Sequence, residues 1–236
     1  MDLSHFMKKV IISIPFYSKA QFYEELFNLR KLDLGISCIE IRFDFLREKL
    51  TRNLIADAKT NLRDNDFKMI FAYHSSMGDN PLLFQKLRSL IRCQPDYIDL
   101  NANIPLIPLT ELADLAVKNH VSIIYSYHNW EETPSLDVIS ELCEYFLQLL
   151  PHFASDPQNI LKMVFMAKTS DDQNTVLNFC KKYHDKGFKL ISFCMGEDGK
   201  MSRIQSIKNG CNYTYAYIGE PTAPGQIHLS DIQKFL

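Results

Sequence analysis

The sequence predicts an α/β protein built as a single (β/α)8 barrel, the TIM-barrel class. Eight short runs rich in Ile, Val, Phe and Tyr recur along the chain, and stretches with helical apolar spacing separate most of them. Regular alternation of strands and helices is typical of parallel sheets. The length of 236 residues also fits one barrel, since such domains commonly have about 200–250 residues. We therefore expect one domain that comprises residues 1–236.

The predicted strands follow one another at intervals that leave room for a helix. In chain order they are Val10–Pro15, Cys38–Arg42, Lys68–Tyr73, Tyr97–Leu100, Val121–Tyr127, Ile160–Met166, Lys189–Cys194 and Tyr213–Tyr217. An open doubly wound sheet would show the same alternation. That fold usually has fewer strands, however, and its G-x-G-x-x-G turn after the first strand is absent here. The barrel is therefore favoured.

The charged residues and cysteines argue against several classes of partner. The 26 basic and 28 acidic residues give a formal net charge of -2 and form no like-charge block, so no nucleic-acid partner is expected. No apolar stretch reaches the roughly 18–20 residues that span a membrane, and the N-terminal run does not resemble a signal peptide. The six cysteines form no C-x-x-C pair, so we expect free thiols and no metal site. Because the chain shows neither a signal peptide nor a membrane-spanning stretch, we expect a cytoplasmic location.

Three charged residues lie on one face of the second predicted strand and its extension. In the segment CIEIRFDFL, Glu40, Arg42 and Asp44 alternate with apolar residues. Barrel strands are normally apolar on both faces, because one face meets the helices and the other fills the interior. Two interpretations remain open: a pocket that binds hydroxyls at the carboxyl end of the strand, or an internal ion pair with a solvated strand end.

His128 and Lys162 are candidates for proton transfer and nucleophilic catalysis. His128 follows the fifth predicted strand at the expected mouth of the barrel, where an imidazole can transfer protons, although a structural histidine would fit as well. Lys162 is the one lysine in the apolar run ILKMVFMA. Burial favours the neutral amine that attacks a ketone. A lysine near the start of a strand can instead extend to solvent at the bottom of the barrel.

The segments after the last two predicted strands contain candidate anion ligands. In MGEDGKMSRIQS, Gly196 and Gly199 permit a tight turn, and Ser202 is expected to cap a helix that begins at Arg203. An arginine in a first helical turn opposes the helix dipole, which favours an anion-binding role, although exposed helix arginines are common. The turn-rich segment Tyr217–Gln226 is expected to form an active-site loop.

Five motifs occur in a fixed order along essentially the whole chain. They are ExRxD at Glu40–Asp44, SYHxxxxTP at Ser126–Pro134, the strand lysine in ILKMVFM, MGxxGxxSR at Met195–Arg203 and TAPGQI at Thr222–Ile227. Together they resemble the type I 3-dehydroquinate dehydratases of the shikimate pathway. The resemblance implies a lyase without metal or cofactor that converts 3-dehydroquinate, a small-molecule substrate, into 3-dehydroshikimate.

The resemblance also implies two catalytic residues and a set of substrate ligands. Lys162 would form a Schiff base with the ketone, and His128 would act as general acid and base. The substrate ligands would be Arg203, Gln226 and Thr222 at the carboxylate, Glu40 and Arg42 at the ring hydroxyls, and Met195 and Tyr215 at the ring. Thr222 stands where the family more often has serine. Asp44 is expected to be structural.

The stretch after the third predicted strand departs from the family's pattern. Family members usually carry an arginine there and, a few residues later, a glutamate in an EGG-like turn, whereas this chain reads FAYHSSMGDN. His74 takes the place of the arginine, and Gly78 takes that of the glutamate. We expect His74 to line the substrate pocket and to replace part of the missing charge when it is protonated.

Three other functions remain compatible with the sequence. A Schiff-base aldolase would share Lys162 but would bind a phosphorylated sugar near the last two strands, where the chain lacks a glycine-rich phosphate loop. A metal-dependent sugar isomerase would use Glu40, Asp44 and His128 as ligands. A barrel that binds its ligand but turns over poorly would explain the departures after the third strand. A homodimer is also compatible with the sequence.

Overall fold

The computed structural model describes residues 2–75 and 80–235. Its centre is a curled sheet with the strand order β7-β6-β5-β4-β3-β2-β1-β8-β9, in which neighbouring strands are parallel. The strands are β1 Val10–Pro15, β2 Cys38–Arg42, β3 Lys68–Ala72, β4 Tyr97–Asn101, β5 Ser122–Asn129, β6 Ile160–Met166, β7 Lys189–Met195, β8 Thr214–Tyr217 and β9 Ile227–His228. From β1 to β7, each strand pairs with the next one in sequence, as in a barrel.

Helices occupy most connections between the strands. Within the two described ranges they are α1 Leu3–Met7, α2 Lys19–Lys31, α3 Arg52–Arg63, α4 Pro81–Ile91, α5 Leu106–Lys118, α6 Leu136–Leu149, α7 Asp171–His184 and α8 Ser202–Lys208, with 3-10 turns at Phe43–Phe45, Phe153–Ser155, Glu197–Gly199 and Leu229–Phe235. Ser18, Thr51 and Ser135 cap the starts of α2, α3 and α6 by accepting a backbone N–H. None of the helices in these ranges is long and apolar enough to cross a membrane.

The sheet curls until β8 lies beside β1 and the segment before β8 meets β7. The β1–β8 pairing runs from Val10 opposite Thr214 to Ser13 opposite Tyr217. On the other side, the Leu190 N–H donates to Asn212 Oδ1 at 2.7 Å, and the Asn212 N–H donates to the Leu190 carbonyl at 2.8 Å. Asn212 thereby joins the backbone of β7 to the chain that leads into β8.

The inner face of the sheet changes from apolar to polar along the strands. The first inward-facing positions form an apolar layer of Ile11, Cys38, Ile70, Tyr97, Ile124, Ile160 and Ile191. Two residues further along, several strands place a buried polar group inside, namely Ser13, Glu40, Asp99, Ser126 and Lys162. Side chains two residues apart on a strand share a face. An apolar floor therefore supports a polar layer nearer the carboxyl ends.

All eight predicted strands are present, and the predicted barrel class is confirmed. Three of them have the predicted bounds, and the other five differ by one or two residues at their ends. The short β9 is an addition, because two residues between turns carry no strand pattern. The predicted cap of α8 is wrong: α8 begins at Ser202, whose hydroxyl donates to the Gly199 carbonyl and accepts the Cys194 N–H, so it fixes the preceding turn onto β7.

We expect Asn212→Ala to lower the free energy of unfolding by about 1–3 kcal/mol, the usual cost of leaving a buried hydrogen-bond partner unsatisfied. The variant removes the acceptor of the Leu190 N–H, and denaturant unfolding measures the loss. Asn209→Ala is the matched control, because the side-chain amide of Asn209 donates to the exposed Gln205 carbonyl near the end of α8, and it should change stability by less than about 0.5 kcal/mol. Equal losses in the two variants would contradict a closing role for Asn212.

Candidate active site

A cavity of about 380 Å³ lies at the carboxyl ends of the strands. It is lined by all ten side chains that the sequence indicates for catalysis or substrate binding: Glu40, Arg42, His74, His128, Lys162, Met195, Arg203, Tyr215, Thr222 and Gln226. The lining also includes Asp44, Ser75, Asn101, Trp130, Val164, Phe193 and Ala223. These residues are distant in sequence and come together because a parallel barrel directs the carboxyl ends of its strands to one rim.

Lys162 lies inside the barrel and does not extend to solvent at its bottom. It is the third residue of β6 and is buried. Its Nζ donates to Asp99 Oδ2 at 2.5 Å and lies 5.1 Å from the centre of the Tyr215 ring. The other oxygen of Asp99 accepts a hydrogen bond from the Ser126 hydroxyl at 2.5 Å. A buried ion pair therefore holds the amine against the wall of the cavity.

Asp99 is a buried partner of Lys162 that the sequence pattern does not single out. Burial raises the pKa of its carboxyl, but the Lys162 ammonium and the hydrogen bonds from Lys162 and Ser126 lower it, and the net pKa lies below its ordinary value. The carboxyl is therefore ionised at neutral pH. Its context, YIDLN, contains a usable signal, since an aspartate in a strand run of a barrel is as unusual as a lysine there.

The imidazole of His128 is packed against two other rings. It belongs to β5 and stacks on the Trp130 indole with ring centres 5.6 Å apart and planes 17° apart. The ring of His74 meets it edge to face, with centres 5.9 Å apart. Burial lowers the pKa of His128 well below its ordinary value, and the charge of Lys162 lowers it further. The imidazole is therefore neutral at neutral pH and able to accept a proton.

His74 lines the cavity, as expected, but it is not a cation in this structure. Burial lowers its pKa; the Asp99 carboxylate opposes that shift, and the charges of Arg42 and Lys162 reinforce it. Burial has the largest effect, so the imidazole of the ligand-free site is neutral at neutral pH, and the contribution of a protonated His74 to substrate binding stays a prediction. Gly78, the other departure from the family's pattern, lies outside the described residues.

Glu40 is buried in β2 and forms part of a hydroxyl-rich corner. The Ser13 hydroxyl donates to Glu40 Oε1 at 2.8 Å and also lies 2.8 Å from the Thr222 hydroxyl. Glu40 Oε2 has no hydrogen-bond partner among the described residues. Burial raises the pKa of Tyr215 well above its ordinary value, and the Glu40 and Asp99 carboxylates raise it further. A free carboxylate oxygen and a protonated phenol thus face the same region.

Arg42 and Asp44 form the internal ion pair that the strand pattern left open as one interpretation. Arg42 Nε and Nη2 donate to the two carboxylate oxygens of Asp44 at 2.9 and 2.7 Å. The pair lines the cavity, and Arg42 Nη1 lies 3.5 Å from the Thr222 carbonyl. The two interpretations of the strand are therefore combined: Glu40 enters the pocket, while Asp44 neutralises Arg42.

Arg203 is a buried cation without a carboxylate partner among the described residues. Its exposed fraction is 1%. Its Nε donates to the Gly225 carbonyl at 2.9 Å, its Nη2 donates to the Pro224 carbonyl at 3.1 Å, and its guanidinium lies 4.1 Å from the centre of the Phe193 ring. Burial lowers its pKa to about 9, which leaves it protonated at neutral pH. An uncompensated buried charge of this kind favours the binding of an anion.

The loop after β8 folds over Arg203 and is fixed by its own side chains. Gln226 Oε1 accepts the backbone N–H of Thr222 at 2.6 Å and that of Ala223 at 3.3 Å. Gly225 has a φ of 68°, and a Cβ at this position would lie 2.3 Å from the Gly196 carbonyl oxygen. The loop therefore packs directly on the turn that follows β7, and it brings Thr222 and Gln226 to the cavity.

The structure does not group the ligands that a metal-dependent sugar isomerase would need. Within residues 2–75 and 80–235, no cluster of three or more histidine, cysteine, aspartate or glutamate side chains has the arrangement of a metal site. Asp44 is instead engaged with Arg42 through both carboxylate oxygens. Glu40, Asp44 and His128 therefore line one cavity without forming a ligand set.

The fold and the cavity define a parallel α/β-barrel protein with a buried lysine among polar groups at the carboxyl rim. Residues 12–236 match the type I 3-dehydroquinase family. The match covers most of the chain, and the chain belongs to this family.

Individual relatives and solved structures agree with this assignment. The chain is 32% identical over 145 residues to 3-dehydroquinate dehydratase of Streptococcus suis; the alignment covers 61% of this chain and 58% of that protein, less than two thirds of its length. It is 27% identical over 219 residues to the enzyme of Syntrophobacter fumaroxidans, with 86% of each protein covered. The crystal structure of the Geobacillus kaustophilus enzyme has the same fold, with a TM-score of 0.81, 18% identity and coverage of 96% of this chain and 89% of that one.

We expect the imidazoles of His74 and His128 to titrate below pH 6.5, the ordinary histidine value. Carbon- or nitrogen-detected NMR titration of the ligand-free protein measures both midpoints, with His74→Asn and His128→Asn as assignment controls. In Lys162→Met the midpoint of His128 should rise, because the ammonium is gone and the Asp99 carboxylate is left unpaired. A midpoint above 6.5 in the unmodified protein, or a fall in Lys162→Met, would contradict this electrostatic description.

Proposed function

We propose that the chain converts 3-dehydroquinate to 3-dehydroshikimate, a dehydration in the shikimate pathway, through an imine on Lys162. Membership of the type I 3-dehydroquinase family supports this reaction. The observation that carries the mechanism is that the Lys162 amine shares one cavity with a neutral histidine and with an arginine that has no carboxylate partner among the described residues. An imine-forming dehydratase of an anionic keto acid requires these three groups together.

The charges of the site indicate how the substrate would be oriented. Arg42 is neutralised by Asp44, and Lys162 is neutralised by Asp99. Arg203 is bonded only to carbonyl oxygens among the described residues, so the substrate carboxylate would bind there, next to Thr222 and Gln226. In this orientation the ring of the substrate would occupy the part of the cavity opposite Arg203.

The ring of the substrate would then meet the polar and aromatic wall. Glu40 Oε2 has no partner among the described residues and would accept a hydrogen bond from a ring hydroxyl. Arg42 lies on the same side of the cavity, and Met195 and Tyr215 would pack against the ring. His74, which is neutral here, would contribute a neutral hydrogen-bonding ring and not a second cation.

The reaction would begin when the Lys162 ammonium gives a proton to the neutral His128 imidazole and the amine that results attacks the ketone carbon. The carbinolamine that forms takes that proton back from His128 onto its hydroxyl, which leaves as water, and the nitrogen becomes part of a positively charged iminium. The iminium withdraws electrons from the adjacent carbon and makes its hydrogen acidic. The proposed mechanism therefore includes no cofactor, because the imine itself provides the electron sink.

His128 would also carry out the two proton transfers of the elimination, first from the carbon beside the iminium and then to the departing ring hydroxyl. Its neutral imidazole removes the proton from the carbon beside the iminium. The imidazolium that results then donates that proton to the departing ring hydroxyl, which leaves as water across the new double bond. Hydrolysis of the conjugated imine releases the product and restores the Lys162 amine. His128 is thus a base in one step and an acid in the next.

The proposal also includes the compartment and the assembly in which the protein acts. The six cysteines are free thiols, which fits a reducing compartment such as the cytoplasm. We place the activity in the single domain of residues 1–236, acting as a monomer or as a homodimer.

Direct turnover of 3-dehydroquinate, followed by the rise in enone absorbance, distinguishes this enzyme from a barrel that binds the ligand and turns it over poorly.

Borohydride should inactivate the protein irreversibly when it is added with 3-dehydroquinate or the product, because hydride reduces an iminium to a stable secondary amine. Intact mass should rise by one reduced ligand, and peptide mapping should place the adduct on Lys162. Lys162→Ala should abolish trapping. His128→Ala should still be trapped, while turnover falls about 100-fold or more, as expected for a lost general acid–base group.

Lys189→Ala is the matched control for this experiment. Lys189 is the first residue of β7, at the opposite end of the strands, and its amine bonds to Gln158. This variant should be trapped and should turn over like the unmodified protein. An adduct on another lysine, or turnover that survives Lys162→Ala, would overturn the proposed mechanism.

Arg203→Lys should raise the KM for 3-dehydroquinate by about 10-fold or more, since it keeps the charge but loses the planar fork that matches a carboxylate. The kcat should change less than the KM. Steady-state kinetics measures both, and Arg88→Lys is the control, because Arg88 forms an exposed ion pair with Glu111 outside the cavity. An unchanged KM in Arg203→Lys, with the fold intact, would remove the carboxylate role.

A further inference from the structure

We propose that Asp99 is the counter-ion of the Lys162 imine and that it accelerates the step in which the substrate hydroxyl departs. The inference rests on the proposed function, because it assigns a role within the imine reaction. Asp99 contacts the reacting nitrogen directly: Lys162 Nζ donates to Asp99 Oδ2 at 2.5 Å. Any imine formed on that nitrogen has the same carboxylate beside it.

The surroundings of Asp99 keep its charge close to the nitrogen. Its carboxylate is 2% exposed, and its second oxygen is fixed by the Ser126 hydroxyl at 2.5 Å. Asp99 and Ser126 lie on neighbouring strands, β4 and β5, and Lys162 lies opposite Ser126 on β6. Three adjacent strands therefore hold the carboxylate, so it cannot rotate away when the amine becomes an imine.

A buried ion pair of this kind has no clear stabilising purpose. Removing two charges from water costs several kcal/mol, and well-packed apolar residues often stabilise a fold as much as a buried ion pair does. The inner positions below Asp99 and Lys162 are apolar, as at Tyr97 and Ile160, so the barrel can fill this space without charges. The pair is explained better by the chemistry at Nζ.

The charge on the nitrogen changes twice during the reaction. When His128 removes the proton, the C–H electron pair forms a carbon–carbon double bond, the C=N electrons move onto nitrogen, and a neutral enamine results. In the next step the nitrogen lone pair re-forms the C=N bond, the double bond shifts by one carbon, and the C–O bond breaks as His128 returns its proton and water leaves. Positive charge therefore disappears from Nζ first and returns second.

A fixed carboxylate at this distance acts oppositely on the two steps. It opposes proton removal, because that step neutralises the cation beside it, and it favours hydroxyl departure, because that step restores the cation. Reprotonation of the enamine to substrate restores the same cation, so Asp99 speeds both steps that consume the enamine and shortens its lifetime. A group that only supported the fold would lower the rate without changing this lifetime.

The test compares the fate of the enamine in the unmodified protein and in Asp99→Asn. In deuterated water, mass spectrometry of recovered 3-dehydroquinate counts deuterium incorporated beside the ketone per molecule of product formed. We expect Asp99→Asn to lower kcat by about 100-fold, as for loss of a preorganised electrostatic group, and to raise exchange per turnover by about 10-fold, because the longer-lived enamine gives the proton on His128 more time to exchange with solvent before it returns. The kinetic isotope effect on kcat for substrate deuterated at that carbon should fall toward 1.

Two further variants keep the outcome decisive. Ser126→Ala retains the ion pair but loses the hydrogen bond to the second oxygen of Asp99. It should raise exchange per turnover by a smaller factor, which tests the inference even if Asp99→Asn does not fold. Asp96→Asn is the matched control: Asp96 lies just before β4, at the opposite end of the barrel, and accepts the Met69 N–H. It should leave exchange per turnover unchanged.

The outcomes separate this inference from the proposed function. If borohydride does not trap the unmodified protein on Lys162, the proposed function fails. If trapping occurs but Asp99→Asn and Ser126→Ala exchange and turn over in the same ratio as the unmodified protein, the role of Asp99 is wrong and the imine mechanism stands. A raised ratio in both variants and a normal ratio in Asp96→Asn support the inference.

Discussion

Curling a parallel sheet into a barrel forces the carboxyl end of every strand onto one rim, and the rest of this protein depends on that constraint. The inner face has room for only a few side chains from each strand, so the layer nearer the amino ends must be filled and the layer nearer the carboxyl ends can be functional. Here the lower layer is apolar, and it gives the polar groups above it a rigid, water-poor base. Asn212 and the β1–β8 pairing keep the ring closed around that layer.

The charges of three cations in the site, Arg42, Lys162 and Arg203, are compensated in three different ways, and these differences indicate different roles. Arg42 is engaged by a carboxylate through two hydrogen bonds, which compensate its charge. Lys162 has a carboxylate on one side and open cavity on the other. Arg203 has only carbonyl oxygens as hydrogen-bond partners among the described residues, so most of its charge is directed at whatever occupies the cavity. Burial strengthens the electrostatic interactions of all three cations, because water screens buried charges poorly.

The sequence predicted the fold well because the signals for the fold are local. Each strand is a short β-branched or aromatic run, and the rhythm of eight such runs indicates a barrel before any contact is known. The ten side chains expected in the pocket all line it, although their roles stay predictions. Asp99 was missed because its importance comes from Lys162, a residue on another strand. The lowered pKa of His74 also depends on the folded structure, because burial has the largest effect on it and charges from β2, β4 and β6 act on it as well.

Arg203 holds the loop after β8 through backbone carbonyls and not through side chains. Every amino acid supplies a carbonyl, so exchanges of side chain at position 224 leave this attachment intact. Position 225 is constrained, because a Cβ there would lie 2.3 Å from the Gly196 carbonyl oxygen. The attachment does depend on where the two carbonyls lie along the chain. An insertion or deletion of a single residue between Arg203's two carbonyl partners and β8 would displace both oxygens at once, so the attachment is more sensitive to the length of this loop than to the side chain at position 224.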